Sequence, residues 1–203
     1  MAPKYKLTYF DFTGLGESIR FLFSYGGIEF IDNRVSRADW VALKPTIPLQ
    51  QMPLLEFDGK VLHQSVAISR YVGRLVGLAG KNDLEDYEID AVVDTITDFR
   101  LQFLRYRFEA NPETKQALKE KLDKETIPLI FGQMDSWVKK NNGYLANARL
   151  TWADVYFAAL MEMITQAQAD LLDNYPNLKA VVKNVLSLPK IKAWVEKRPK
   201  DVL

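Results

Sequence analysis

The sequence predicts a small α/β domain over residues 1–78, followed by an all-helical domain over residues 84–203. Three observations predict it. Short strand and helix signals alternate through the first part of the chain. Gly77 to Asp83, rich in Gly, Asn and Asp, then reads as a linker. Beyond it, apolar residues recur at helical spacing.

Each element has a local cause. Lys4 to Phe10 has the β-branched and aromatic content of a strand. Gly14 to Glu17 breaks it, and Ser18 to Tyr25 carries helix-spaced Ile19, Leu22 and Phe23 until Gly26-Gly27 ends the helix. Ile28 to Val35 reads as a second strand. Pro53 to Phe57 and Lys60 to Leu62 flank Asp58-Gly59, a two-residue hairpin signal. Ser65 stands where a helix N-cap belongs, ahead of Val66, Ile68, Tyr71, Val72 and Leu75. The order β-α-β, then β-β-α, implies a parallel first pair with a right-handed crossover. That is the pattern of a thioredoxin-like half.

In the second half, Ile89, Val92, Val93, Ile96, Phe99 and Phe103 form one apolar stripe. A helix from Pro112 to Lys140 should end at Asn141-Asn142-Gly143. Thr151-Trp152-Ala153-Asp154 is a capping-box variant, with Leu150 and Val155 at the staple positions around it. Two shorter helices are expected near Leu178 to Leu186 and Pro189 to Lys197.

Composition narrows the function. Of 203 residues 48% are apolar, enough for one or two packed domains. Lys plus Arg number 27 against 26 Asp plus Glu. A net charge of +1 gives no basic field for nucleic acid and no polybasic patch for anionic lipid. The first ten residues lack the apolar core of a secretion signal, and the longest apolar run, Val155 to Met161, is far short of a bilayer span. A cytoplasmic protein is expected. The chain has no cysteine and one histidine, His63. Disulfides, thiolate metal sites and a cysteine nucleophile are excluded, and histidine-cluster or triad chemistry is not expected. If thiol chemistry occurs here, the thiol arrives with a ligand.

Several side chains could carry chemistry. Tyr9 ends the first predicted strand, where ligands of open α/β sheets bind, and its hydroxyl can donate to an anion. A half-buried strand tyrosine is the plainer alternative, and Tyr5, at the wrong end of the strand, is the internal control. Gly14-Leu15-Gly16 is not a dinucleotide fingerprint, because Ile19 occupies the third glycine's place. Met52-Pro53 enters a strand, and a cis bond there would leave the Met52 backbone groups open to a ligand. Gln64-Ser65 opens a helix, either as an ordinary cap or as a carboxylate site at the positive helix end. Trp40 and Lys44, four apart, present an indole N–H and an ammonium on one face if the segment is helical. By itself Lys44 reads as a solvated charge. His63 is given a structural role. Asp94 and Asp98 lie one turn apart on the long helix, as a cation site or as solvated carboxylates.

Taken together these stretches resemble the glutathione transferases: Lys6 to Phe10, Gly14 to Arg20, Asp39-Trp40, Gln51 to Glu56, His63 to Tyr71, Val93-Asp94-Thr95 and Leu150 to Asp154. The similarity spans nearly the whole chain and its details point to the sigma class, which also holds glutathione-dependent prostaglandin D synthases and S-crystallins. The resemblance implies a thioredoxin-like domain, an all-α domain, a homodimer and glutathione as co-substrate. It implies Tyr9 as the catalytic tyrosine and Trp40 and Lys44 as contacts to the glycyl carboxylate. Gln51 and Met52 match the segment pairing with the cysteinyl backbone, with Pro53 as the cis proline. Gln64 and Ser65 match the γ-glutamyl site, and Asp98 an acid that reaches the partner subunit's site. Phe10, Leu15, Arg105, Phe108, Tyr156 and Leu160 are the expected lining of a hydrophobic pocket.

Departures shape the expected activity. Leu15 stands where the prostaglandin synthases carry an arginine, Arg105 where they carry a tryptophan, and Thr97 interrupts their acidic metal cluster. No metal and little prostaglandin isomerisation are expected. The expected activity is conjugation of glutathione to hydrophobic electrophiles such as aryl halides or lipid-peroxidation aldehydes, a detoxification. The alternatives are prostaglandin H2 D-isomerisation and a non-catalytic, ligand-binding or structural protein of the S-crystallin kind.

Overall fold

In the computed structural model, residues 4–200 are described. Strand β1 (Tyr5–Phe10) leads through a 3-10 turn at Gly14–Gly16 into helix α1 (Glu17–Gly26). Gly27 closes α1 in the left-handed conformation, φ 66°, and the Ile28 N–H returns to the Phe23 carbonyl at 3.0 Å. Those bonds hold residues 27–29 in the turn, so β2 (Phe30–Val35) starts later than the apolar pattern suggested. Helix α2 (Arg37–Leu43) follows, its first turn capped by the Ser36 hydroxyl oxygen, which accepts from the Asp39 N–H at 3.0 Å. Strands β3 (Leu54–Phe57) and β4 (Lys60–His63) form the hairpin around Asp58-Gly59, and α3 (Ser65–Leu75) completes the unit.

The sheet order is β2-β1-β3-β4. β1 runs parallel to β2, with Tyr5 opposite Phe30 and Phe10 opposite Val35. β3 runs antiparallel to β1, with Leu7 opposite Leu55. Tyr5, Leu7 and Tyr9 share one buried face through the two-residue strand period.

The long helix α4 (Asp83–Phe108) buries the stripe read from the sequence, Ile89, Val92, Val93, Ile96, Phe99 and Phe103. The expected helix from Pro112 to Lys140 divides into α5 (Pro112–Lys121), a π-helical turn at Leu122–Thr126 and α6 (Ile127–Lys140). Pro128 is the reason: it has no N–H to donate and its ring crowds the preceding turn, and the wider turn accommodates both. Helix α7 (Trp152–Ala167) is buried nearly all round and packs on α1, α4 and α8 (Pro176–Ser187). The predicted box at its start is present. The Asp154 carboxylate accepts from the Thr151 N–H at 2.8 Å and the Leu145 N–H at 2.8 Å. Helix α9 (Pro189–Lys197) closes against α1.

One apolar core runs from Tyr5 to Trp194 through both halves. Close backbone approach permits it: a Cβ on Gly73 of α3 would stand 2.6 Å from the Trp152 Cβ of α7. Among the described residues, no helix is long and apolar enough to cross a membrane.

Candidate active site

The end of β1 is fixed by a buried ionic network. Arg20 of α1, wholly buried, donates to Glu17 at 3.0 Å and to Asp32 at 2.9 Å. The same guanidinium donates to the carbonyls of Phe12 at 2.9 Å and Phe10 at 3.3 Å. A rigid fork with five donors suits this task, and it clamps the chain on both sides of residue 11. Tyr9 sits just before that clamp. Its ring meets Phe10 and Phe12 edge-on at 5.7 and 5.6 Å.

The glycines beside Leu15 belong to Tyr9. A Cβ on Gly16 would lie 2.5 Å from the Tyr9 ring, and one on Gly14, where φ is +44°, would lie 2.7 Å from its hydroxyl. With these contacts open, the Leu15 N–H reaches the Tyr9 hydroxyl oxygen at 3.1 Å. Accepting that bond leaves the hydroxyl proton free to be donated elsewhere. Burial pushes the phenol above its ordinary range, while the Leu15 N–H and the charges of Arg20 and Arg100 pull the other way. It is a neutral donor at physiological pH.

Next to it opens a cavity of about 160 Å³, lined by Leu15, Leu49, Gln51, Met52, Pro53, His63, Gln64, Ser65 and Arg100. The Met52-Pro53 bond is cis. One sequence expectation is corrected here. Ser65 is not the cap of α3 but its first helical residue; Gln64 occupies the cap position at φ 73°, ψ 109°. The chain must leave β4 and enter α3 across one residue, and Gln64 absorbs the turn in a conformation that non-glycine residues seldom hold. The donor set around the cavity comprises two side-chain amides, a hydroxyl and a guanidinium. It suits a ligand built of carboxylates and peptide groups.

The cavity thus gathers Leu15, Gln51, Met52, Gln64 and Ser65 beside Tyr9. Trp40, on α2, reaches the cluster through Phe10, edge-on at 5.4 Å. Lys44, exposed at the end of α2, donates its backbone N–H to the Trp40 carbonyl. Asp98 lies on the exposed side of α4, away from the cavity. The expected apolar lining is dispersed. Leu15 lines the cavity and Phe10 is half-buried, whereas Arg105 and Phe108 are exposed near the end of α4. Tyr156 and Leu160 are buried in the core of α7. Among those residues no three His, Cys, Asp or Glu side chains converge as a metal site. A larger cavity of about 450 Å³ between the α1–β2 turn and α9 holds none of these residues. Size does not make it the chemical site; the convergent donors do.

Two matches agree with this geometry. Residues 5–74 match the family described as glutathione S-transferase, N-terminal domain, and residues 97–198 match glutathione S-transferase, C-terminal domain. The chain belongs to the glutathione S-transferase family. It is 46% identical to a glutathione S-transferase of Anopheles gambiae over 97% of this chain and 98% of that protein. It is 40% identical to the hematopoietic prostaglandin D synthase of Gallus gallus, over 99% and 100% of the two chains. Among solved structures, prostaglandin synthase D of Nilaparvata lugens superposes with a TM-score of 0.94 at 48% identity, covering 97% and 99%. This chain is accordingly a glutathione S-transferase enzyme, with glutathione as co-substrate.

Reading the sequence missed three contributions to the arrangement around Tyr9. Gly14 and Gly16 leave room for Tyr9, which only their spacing behind a strand-end tyrosine could have signalled. Arg20 holds the strand end; a lone arginine in an apolar helical stripe was the available cue. Arg100 lines the cavity from α4, 85 positions from Leu15 by their numbering, and nothing local announced it.

Proposed function

We propose that this chain is a sigma-class, cytosolic, homodimeric glutathione transferase in which Tyr9 holds the glutathione sulfur as a thiolate. The observation that carries the reading is the Leu15 N–H on the Tyr9 oxygen, which leaves the phenolic proton for a ligand beside the cavity. A free thiol has a pKa near 8.5, so roughly a tenth or less is thiolate at neutral pH. A hydrogen bond from neutral Tyr9 favours the anion, and a shift of about 2 units, about 2.7 kcal/mol, makes thiolate the majority form.

In this reading Gln64 and Ser65 hold the γ-glutamyl end, Gln51 and Met52 pair with the cysteinyl backbone, and Trp40 and Lys44 bind the glycyl carboxylate. Asp98 reaches the site of the partner subunit. Support for pairing comes from α4, where Leu84, Tyr87, Ala91, Asp94, Asp98, Leu101, Arg105 and Phe108 recur at alternating spacings of three and four. Leu84, Tyr87, Leu101 and Phe108 are 53–77% exposed, an apolar seam open to a second copy. Residues 1–78 form the glutathione domain and residues 84–203 the helical domain. The electrophile, an aryl halide or a lipid-peroxidation aldehyde, enters between them, beside Phe10 and Leu15.

Turnover of chlorodinitrobenzene with glutathione tests the activity, and a crystal structure with glutathione tests the geometry. The sulfur is expected about 3 Å from the Tyr9 oxygen. A sulfur turned away from it, with no turnover, refutes the reading. The prostaglandin synthase likeness at 48% identity favours a second reading, isomerisation of prostaglandin H2. Product analysis with that substrate decides it, and Leu15 and Arg105 predict little product.

A further inference from the structure

The cavity of about 450 Å³ between the α1–β2 turn and α9 holds none of the residues given a role above. Sites for small molecules run from about 300 to 1,000 Å³. Its floor is aromatic: the Phe30 ring of β2 lies 5.7 Å from the Trp194 ring of α9, tilted by 43°. Its rim is charged. Lys190 and Lys197 stand on one face of α9, about 10 Å apart along the axis, on either side of Trp194. The Lys197 Nζ is 5.9 Å from the centre of the Trp194 ring. Lys190 reaches back to the end of α1: a Cβ on Gly27, where φ is +66°, would lie 2.6 Å from its Nζ. Among the described residues neither ammonium has an ion pair, whereas Lys192, on the far side of α9, stands 3.9 Å from Glu196. Glu29 is the one acid lining the cavity. The surroundings strengthen the positive field, since residues 176–200 carry seven Lys and Arg against one acid, Glu196. None of the lining residues belongs to α4, whose exposed seam is read above as the contact with a second copy.

We infer that this cavity is a second ligand site, separate from the one beside Tyr9, and that it takes a planar aromatic monoanion such as an aryl carboxylate or sulfonate. The rings lie against Phe30 and Trp194, and the acid group meets the ammoniums of Lys190 and Lys197. Two lysines against Glu29 leave one net positive charge at the rim, which a single negative charge balances. An inorganic anion leaves the aromatic floor uncovered, and a neutral arene leaves the lysines unpaired. Burial of aromatic area supplies the affinity, and the charge supplies the selection. The floor is set before any ligand arrives, because the Trp194 indole N–H donates to the buried Glu17 carboxylate at 2.7 Å. No covalent bond forms or breaks at this site, and the inference goes beyond the transferase reading.

The test follows the fluorescence of 8-anilinonaphthalene-1-sulfonate added to the full-length enzyme saturated with S-hexylglutathione, so that the glutathione site is already filled. The neutral N-phenyl-1-naphthylamine serves as the probe without charge. The native enzyme is expected to bind the sulfonate under saturation, about tenfold or more tighter than the neutral probe. Lys190→Glu with Lys197→Glu turns one net positive charge at the rim into three negative ones. It should weaken the sulfonate about tenfold or more and leave the neutral probe within about twofold. Ala193→Leu, at an exposed position lining the cavity, should weaken both probes by filling the floor. Chlorodinitrobenzene turnover close to the native value shows that each variant is folded, and Lys190→Met with Lys197→Met takes the place of the charge reversal if that variant does not fold. Displacement of the sulfonate by S-hexylglutathione overturns the inference. So does a sulfonate affinity that neither the lysine substitutions nor Ala193→Leu changes, and so does equal binding of the charged and neutral probes.

Discussion

The backbone N–H of Leu15 donates to the hydroxyl oxygen of Tyr9 across 3.1 Å. That bond fixes the direction in which the phenol can act: its oxygen accepts from the chain, and its proton is left for the ligand. Tyr9→Phe removes the donor and keeps the ring packed on Phe10 and Phe12. The thiol pKa of bound glutathione should rise by about 2 units and conjugation at neutral pH should fall about ten- to thirtyfold, the loss of thiolate fraction, with Kd changed only a few-fold. Stopped turnover and equilibrium binding separate the two quantities. Unchanged turnover would remove Tyr9 from the mechanism.

The same phenol sets the alkaline side of the pH profile. Burial raises its pKa above the ordinary value of 10.0, so the neutral form is favoured in the folded protein. A raised phenol stays protonated while pH climbs through the thiol's titration. The rate should therefore rise as thiolate forms, reach a plateau, and decline only above the ordinary tyrosine range if the fold survives there. A decline well below pH 10 that disappears in Tyr9→Phe contradicts this order of ionisation.

Gly16 carries a different prediction. A methyl group there would sit 2.5 Å from the Tyr9 ring, inside contact distance, and the clamped strand end leaves the ring little room to yield. Gly16→Ala should displace the hydroxyl from Leu15 and from the ligand. A shift of about 1 Å costs on the order of a hundredfold in kcat. The readout is kcat against glutathione Kd: kcat falls and Kd moves little. Loss of binding with kcat preserved would show that the ring is not what the glycine accommodates.

The sequence made local features legible and left juxtapositions hidden. Asp58-Gly59 announced a hairpin and Thr151 to Asp154 a capping box, because each rests on bonds between near neighbours. Tyr9 was visible because strand ends are where ligands of such sheets bind. Ser65 was misplaced by one residue, since no propensity rule assigns a glutamine the φ of 73° that Gln64 adopts. The pairing of Glu17 with Trp194 and Arg198, 177 and 181 positions away, depends on how α9 docks on α1. Arg100 is hidden for the same reason, and so is the scatter of the expected apolar lining, whose side chains follow packing between helices.

Glu17 gives the prediction for stability. Its carboxylate is wholly buried and accepts from Arg20 at 3.0 Å, from the Trp194 indole at 2.7 Å and from Arg198 at 2.6 Å. Removing Glu17 leaves Arg20 on Asp32 and Arg198 on Glu162, but it strands the buried Trp194 indole N–H and leaves the two desolvated guanidiniums with half of their carboxylates. Glu17→Ala should destabilise the protein by about 3–5 kcal/mol, which for a chain of this size lowers Tm by roughly 6–20 °C. Glu17→Gln keeps the shape and one acceptor, so its loss should be smaller. Because Arg20 also holds the Phe10 and Phe12 carbonyls that flank the site, Glu17→Ala should lower kcat at temperatures where the protein remains folded. Thermal unfolding and turnover at low temperature read the two effects separately. A variant that melts with the native protein would mean that Asp32 and Glu162 suffice for Arg20 and Arg198, and that Glu17 does not hold α9 to α1.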